Sequence, residues 1–352
     1  MMDPYWQTAR YRIDLSAPRV MGIVNATPDS FSDGGQYATL REQLAHSERL
    51  IGEGADILDI GGESTRPGSA LVPLAEELAR VLPLVREAVK LGVPIAVDSC
   101  KPEVMAAALD AGADILNDIW AFRQTGGSGV SALDVAARHP SCGLCVMHMH
   151  GDPQTMQVRP MAGDAAQTVA AVLAFLCARR DALTARGIAR ARIVFDPGIG
   201  FGKTVAQNFA LLAQQRDLLA PGQPLLVGWS RKSALGAALA DDDGYHTPPP
   251  GRPKAASAPS GGSEPRAAGS VGEHITPLPG RPKAASAPLG GSEPRAAGSV
   301  GGNIPPPDQR DAASVAAALL AIERGARIVR VHDVASTAQA IRIWRAMQRQ
   351  QE

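Results

Sequence analysis

The sequence has no excess charge of either sign: 35 Lys and Arg stand against 35 Asp and Glu, for a formal net charge of zero. A broad polyanion-binding surface is therefore not expected, nor is nucleic acid as a partner. No run of about 18 apolar residues occurs, so no membrane-spanning helix is expected. The opening residues MMDPYWQTARYRIDL contain no basic stretch leading into an apolar one, which argues against a secretory signal. Four cysteines, at 100, 142, 145 and 177, are too few to staple a chain of 352 residues and suit a reducing cytoplasm. What is present is 45% hydrophobic residues, ample for a large buried core.

The stretch from Gly244 to Pro307 differs from everything around it. It holds 14 of the 28 prolines and no Phe, Trp or Met. It is also a tandem duplication of period 29: Thr247–Ile275 recurs as Thr276–Ile304 with four differences. A stacking repeat needs a periodic apolar face, and this one has only scattered Val, Ile and Leu. Its composition reads as a disordered insertion within the surrounding domain. Without it 288 residues remain, near the ~250 typical of one (β/α)8 barrel.

That remainder alternates short β-branched runs with helical patterns. A phrase recurs where helix should give way to strand: Gly54-Ala-Asp-Ile-Leu-Asp59, Gly112-Ala-Asp-Ile-Leu-Asn117 and Gly325-Ala-Arg-Ile-Val-Arg330. The glycine suits a helix end and the apolar pair opens a strand. Between such joints, Leu74, Leu78, Val81, Leu82, Val85 and Val89 share a helical face. Eight strands are predicted: Val20–Val24, Ile57–Ile60, Pro94–Val97, Ile115–Leu116, Leu144–Met147, Ile193–Phe195, Leu225–Val227 and Ile328–Val331. Parallel strands in that number imply a single (β/α)8 barrel spanning residues 1–352, interrupted after strand seven by the insertion at 244–307.

Each run ends in polar residues. The exits carry Asn25, Glu63 after Asp59, Asp98, Asn117, His148, Asp196, Ser230-Arg231-Lys232, and Arg330 with His332. In a barrel all these exits open on the face that carries the active site. Asp98, Asn117 and Asp196 suit a heterocycle with donors and acceptors, whereas Arg66, Lys232, Arg330 and His332 suit an anion. Other motifs fail. Pro197–Thr204 has proline where a phosphate loop requires its first glycine. Asn25-Ala-Thr27 is a formal glycosylation site of no use to a cytoplasmic chain. Cys142 and Cys145 have no second ligand pair nearby and read as buried thiols. His148 reads as a hydrogen-bonded rim residue. Lys203 reads as equally a solvated helix-start lysine or a ligand contact and is left out of the site.

The motif set Met21–Gly35, Gly62–Gly68, Asp98–Pro102, Asn117–Ile119, Met147–Met149, Asp196–Lys203, Ser230–Ser233 and Arg330–Val334 resembles that of the dihydropteroate synthases, in the family's order. The insertion is the departure from their pattern. The resemblance implies a pterin-binding (β/α)8 barrel that condenses a hydroxymethyl-dihydropterin pyrophosphate with p-aminobenzoate. It implies that Asp98, Asn117, Met147, Asp196, Phe201 and Lys232 contact the pterin. Thr65, Arg66, Arg330 and His332 would bind pyrophosphate, with Arg66, Lys232, Arg330 and His332 catalytic. Phe31, Pro67 and Ser230 would contact p-aminobenzoate, and Asn25 would ligate Mg²⁺. A cytoplasmic homodimer sensitive to sulfonamides is implied as well.

The chemistry agrees with such a site. Pyrophosphate leaves readily once cations neutralise it, and an aryl amine is neutral at pH 7 and needs no strong base. No Ser–His–Asp or Cys–His nucleophile arrangement is required or visible. Two rivals stand beside this reading. A methyltetrahydrofolate–corrinoid methyltransferase on the same barrel would share the pterin contacts but has no use for the anion set. A non-catalytic paralogue would need no pyrophosphate site at all.

Overall fold

A computed structural model describes residues 4–26, 40–65, 69–240 and 304–350. Phe31, Arg66, Pro67, the Thr27–Gly35 loop and repeat residues 244–303 lie outside that description. Ten strands run in chain order: β1 Tyr5–Gln7, β2 Arg12–Asp14, β3 Arg19–Asn25, β4 Ile57–Gly61, β5 Ile95–Asp98, β6 Ile115–Asp118, β7 Gly143–Met147, β8 Ile193–Asp196, β9 Leu226–Val227 and β10 Ile328–Val331. The helices between them are α1 Leu40–Glu53, α2 Leu74–Ala88, α3 Pro102–Asp110, α4 Ala132–Arg138, α5 Ala165–Ala185, α6 Val205–Ala213, α7 Ser233–Ala240, α8 Asp311–Glu323 and α9 Val334–Gln348.

Strands β3 to β10 are parallel neighbours in the order β8-β7-β6-β5-β4-β3-β10-β9. An isolated bridge from Phe195 to Leu225 joins the two ends into a ring. All eight predicted strands are present, with ends shifted by a residue or two. They were legible because strands buried on both faces read as continuous apolar runs. The joint glycines do what their position requires: Gly54, Gly112 and Gly325 each have positive φ just past a helix end.

Side chains alternate between the two faces of each strand, so residues two apart share a face. One residue from every barrel strand, Met21, Ile57, Ala96, Ile115, Cys145, Val194, Leu226 and Ile328, forms the lowest inner layer. The opposite parity, including Leu58, Ile60, Val97, Leu116, Val146, Phe195, Val227 and Val329, packs outward in the larger core shared with the helices.

The lowest layer is closed from beneath by an antiparallel hairpin that the sequence reading did not anticipate. Strands β1 and β2 pair Trp6 with Ile13, and Trp6, Ile13 and Leu15 pack into the inner layer. The Trp6 indole donates to the Arg192 carbonyl at 2.9 Å. A second difference concerns α2. Its buried residues are Glu77, Val81, Leu84, Val85 and Ala88, whereas Leu74, placed on the apolar face from sequence, is 36% exposed. The buried stripe is rotated toward Glu77, whose carboxylate pairs with Lys101 at 2.5 Å beneath the helix.

Candidate active site

The period of two that builds the core also builds the site. Two residues beyond the lowest layer stand Ile23, Asp59, Asp98, Asn117, Met147, Asp196, Gly228 and Arg330. Two beyond those stand Asn25, Gly61, Ile119, Ser230 and His332. With Asp59 the exception, these line a cavity of about 420 Å³ at the C-terminal mouth of the barrel, together with Thr65, Phe201 and Lys232. Among the described residues, every side chain nominated from sequence therefore meets in one place. Arg66, Pro67 and Phe31 fall outside the described residues.

Arg330 is the electrostatic centre. Its Nε donates to Asp59 Oδ2 at 2.5 Å and its Nη2 to Asp98 Oδ2 at 2.7 Å. Burial would lower its pKa, but Asp59 and Asp98 together hold it above the ordinary value. Asp59 also accepts from the Asn117 amide at 3.0 Å. From sequence Asp59 stands at a strand exit alongside Asp98 and Asp196 but receives no role in the site. The signal was available: Asp59 lies two residues past Ile57, at the same inward parity as Asp98, Asn117 and Asp196. Its other oxygen, Oδ1, is buried without a hydrogen-bond partner among the described residues.

Asp98 has its pKa pushed up to about 7 by burial, against the pull of Arg330 and with the help of Asp59. Asp196 is likewise raised by burial, opposed by the Gly198 N–H and by Lys232. The Gly198 amide donates to Asp196 Oδ1 at 2.7 Å and fixes the carboxylate's orientation. Deep carboxylates next to fixed donors are what a hydrogen-bonding heterocycle requires. The apolar side of the site is a cluster of Ile119, Met147, Met149, Met156 and Phe201. Lys232 holds its ammonium 4.1 Å from the Phe201 ring centroid. Ser230 Oγ lies 2.9 Å from His332 Nδ1 and accepts from the His332 backbone N–H at 3.1 Å.

The loop 197–203 explains its own composition. Gly198 and Gly202 have positive φ, and a Cβ there would fall 1.9 Å from the His148 carbonyl and 2.2 Å from the His150 carbonyl. Lys203 corrects the sequence reading. It is 3% exposed, and its ammonium donates to the carbonyls of Gly198 at 2.8 Å, Phe201 at 3.1 Å and His148 at 3.3 Å. Burial pushes its pKa down to about 7, partly opposed by Asp196, while three carbonyl acceptors match the three N–H groups of an ammonium. His148 is also corrected. It is buried rather than on the rim, meets the Phe175 ring edge-on at 5.0 Å, and has its pKa pushed down to about 2 by burial. Cys142 and Cys145 sit in different core clusters, which suits buried thiols.

Another linkage went unread in the sequence. Lys101, past the end of β5, bridges Glu63, past the end of β4, and the fully buried Glu77 of α2. It ties together two of the loops that frame the cavity. Among the described residues no cluster of three or more His, Cys, Asp or Glu side chains could hold a metal ion. None of the described helices is long and apolar enough to cross a membrane.

Residues 21–260 match the model of the pterin binding enzyme family. The chain is 40% identical over 345 residues to a dihydropteroate synthase of Neisseria meningitidis serogroup C, covering 97% of each. It is 36% identical over 332 residues to that of Escherichia coli strain K12, covering 94% of this chain and 92% of the other. Among solved structures, Burkholderia cenocepacia dihydropteroate synthase complexed with 7,8-dihydropteroate aligns with a TM-score of 0.71 at 42% identity, covering 99% and 98%. Xanthomonas albilineans dihydropteroate synthase with 4-aminobenzoic acid aligns with a TM-score of 0.73 at 39% identity, covering 98% of both chains.

Proposed function

From the chain's family we infer its reaction: it belongs to the pterin-binding enzymes and, among them, to the dihydropteroate synthases. It is a transferase that condenses 6-hydroxymethyl-7,8-dihydropterin pyrophosphate with p-aminobenzoate, giving 7,8-dihydropteroate and pyrophosphate. One observation carries the residue assignment. Asp98, Asn117 and Asp196 share an inner layer with Arg330, directly beneath the layer that holds Asn25, Ser230 and His332.

In the proposed arrangement the pterin lies deep. Asp196 accepts from its ring N–H and amino group, Asp98 and Asn117 read the rest of its polar edge, and Lys232 reaches the ring oxygen and nitrogen. Met147 and Phe201 cover its faces. Thr65, Arg66, Arg330 and His332 take the pyrophosphate, and Phe31, Pro67 and Ser230 contact p-aminobenzoate nearer the mouth. The C–O bond to pyrophosphate breaks first, its electrons leaving with the phosphate, and the electron-rich pterin stabilises the positive methylene carbon. The neutral aryl amine then attacks that carbon and loses a proton. Arg330 serves the first step, because charge grows on the departing group and a cation held in place by Asp59 and Asp98 needs no reorganisation to meet it.

Asn25 fits a Mg²⁺ site: a hard amide oxygen at the mouth suits an ion that takes its remaining ligands from phosphate and water. The ion would neutralise charge on the leaving group. A cytoplasmic location accords with the reducing cysteine complement. A homodimer accords with exposed Leu239 on α7 and Leu320 on α8. The insertion has, on this reading, no part in the reaction up to residue 303, whereas Pro307 at its end lines the cavity.

The test is dihydropteroate and pyrophosphate formation by the purified chain, with Mg²⁺ and with a chelator. Stoichiometric products that disappear on chelation support the assignment; absence of pyrophosphate release overturns it. Yersinia pestis dihydropteroate synthase is known in a sulfonamide drug complex, at 34% identity to this chain. Sulfonamides should accordingly compete with p-aminobenzoate here, and inhibition that p-aminobenzoate does not relieve would count against the pocket assignment.

A further inference from the structure

The turn after β9 carries Ser230 and Lys232 on either side of Arg231, and Arg231 has φ of +60°. This is left-handed backbone, which disfavours a residue with a Cβ and persists only where its surroundings impose it. The surroundings here are specific. The Arg231 amide donates to Ser314 Oγ at 2.9 Å, and that hydroxyl donates in turn to the Arg310 carbonyl at 2.7 Å. The Arg231 carbonyl accepts from Arg310 Nη1 at 3.1 Å. The Arg231 guanidinium is bidentate on Asp311, at 2.8 and 3.0 Å. Amide, carbonyl and side chain of one residue are thus gripped by three residues within a single turn.

That turn follows shortly after Ile304, the last residue of the repeat, where the described chain resumes. Ile304 and Arg310 press on α7, where a Cβ at Gly236 would meet Arg310 Nε at 2.7 Å and Ile304 Cγ2 at 2.9 Å. Pro307, Arg310 and Arg231 also contribute to the cavity wall. We propose that Arg310, Asp311 and Ser314 are positioning residues for catalysis: they hold the Arg231 peptide in its left-handed state, so that Ser230 is presented to His332 and Lys232 to Phe201. The inference rests on the synthase reading above. It gives the segment that follows the repeat a task in the reaction, although none of these three side chains is assigned a substrate contact.

The experiment uses the full-length chain and four variants: Ser314→Ala, Ser314→Thr, Arg231→Gly, and Ser314→Ala combined with Arg231→Gly. Steady-state constants for both substrates are measured well below each variant's melting temperature. Ser314→Ala should lower kcat/KM for p-aminobenzoate by about tenfold, the scale expected for losing one buried hydrogen bond that orients a reacting group. Ser314→Thr, which keeps the hydroxyl, should restore most of it. The double variant should recover activity relative to Ser314→Ala, because glycine adopts the left-handed conformation without a clamp. A merely structural role predicts no such recovery, since glycine also forfeits the Asp311 pair. Unchanged constants in Ser314→Ala, or a loss that neither threonine nor glycine relieves, overturns the proposal. An inactive wild-type chain would instead sink the synthase reading, which keeps the two failures apart.

Discussion

Replacing Lys203 by methionine tests how the proposed pterin side of the site is held. The side chain is 3% exposed and its ammonium satisfies three carbonyls, those of Gly198, Phe201 and His148. Two of these belong to the glycine-rich loop between β8 and α6, which has no strand ladder of its own. A hydrogen bond from a charged donor contributes ~1.5–3 kcal/mol, so three would suggest ~5–9 kcal/mol. The variant also escapes the cost of burying the amine, and a buried charge forfeits several kcal/mol on leaving water. Methionine fills much of the same volume. The expected net loss is therefore ~3–5 kcal/mol, read from urea unfolding with the slope held fixed. Hydrogen exchange should accelerate at residues 198–202, and pterin affinity should fall because the Gly198 amide orients Asp196. A loss below ~1 kcal/mol with unchanged exchange would refute the reasoning.

Three further outcomes follow from the geometry. Pterin affinity should decline as pH falls through about 7, where Asp98 takes up a proton, and Asp98→Asn should flatten that profile by calorimetry. Stability runs the other way: a carboxyl whose folded pKa is raised binds more protons folded than unfolded between its two values, so wild type should gain stability relative to Asp98→Asn as pH drops from about 7 toward 4. Arg330→Ala should cut kcat by roughly two orders of magnitude or more, because the departing pyrophosphate loses a preorganised cation; a raised KM with unchanged kcat would disprove that role. Trp6→Ala should cost ~3–5 kcal/mol in thermal or chemical unfolding yet leave kcat near wild type at low temperature, since the indole lies in the layer beneath the cavity floor; equal loss of both would show that the hairpin shapes the site.

The barrel was legible in the sequence because its signal is redundant. Eight apolar runs, recurrent glycine joints and polar exits all point to one architecture. Capping motifs were equally available, as at Asp164 with Gln167 and Thr204 with Gln207, where each side chain bonds the other's backbone N–H. What escaped shares a physical cause. The hairpin strands are three residues long, too short for alternation to register. Lys203 is buried by tertiary wrapping around loop carbonyls, and no spacing in the sequence encodes that. Asp59 is visible as a strand-exit carboxylate, but its place in the site becomes evident only when inward parity is tracked across all eight strands. Lys101 joins Glu63 and Glu77 from separate loops and helices, which no local window can see.

The hairpin under the barrel has a kinetic consequence. With Trp6, Ile13 and Leu15 sealing the lower end, the described residues leave one doorway, at the opposite mouth, and whatever enters there must leave the same way. A molecule resting on the Asp196 layer lies behind one resting on the Ser230 layer. Traffic through such a doorway is last in, first out. The deeper reactant has to arrive before the shallower one occupies the threshold. Isotope trapping should therefore capture prebound pterin but not prebound p-aminobenzoate, and dead-end inhibitors of the shallow layer should slow the exchange of anything below.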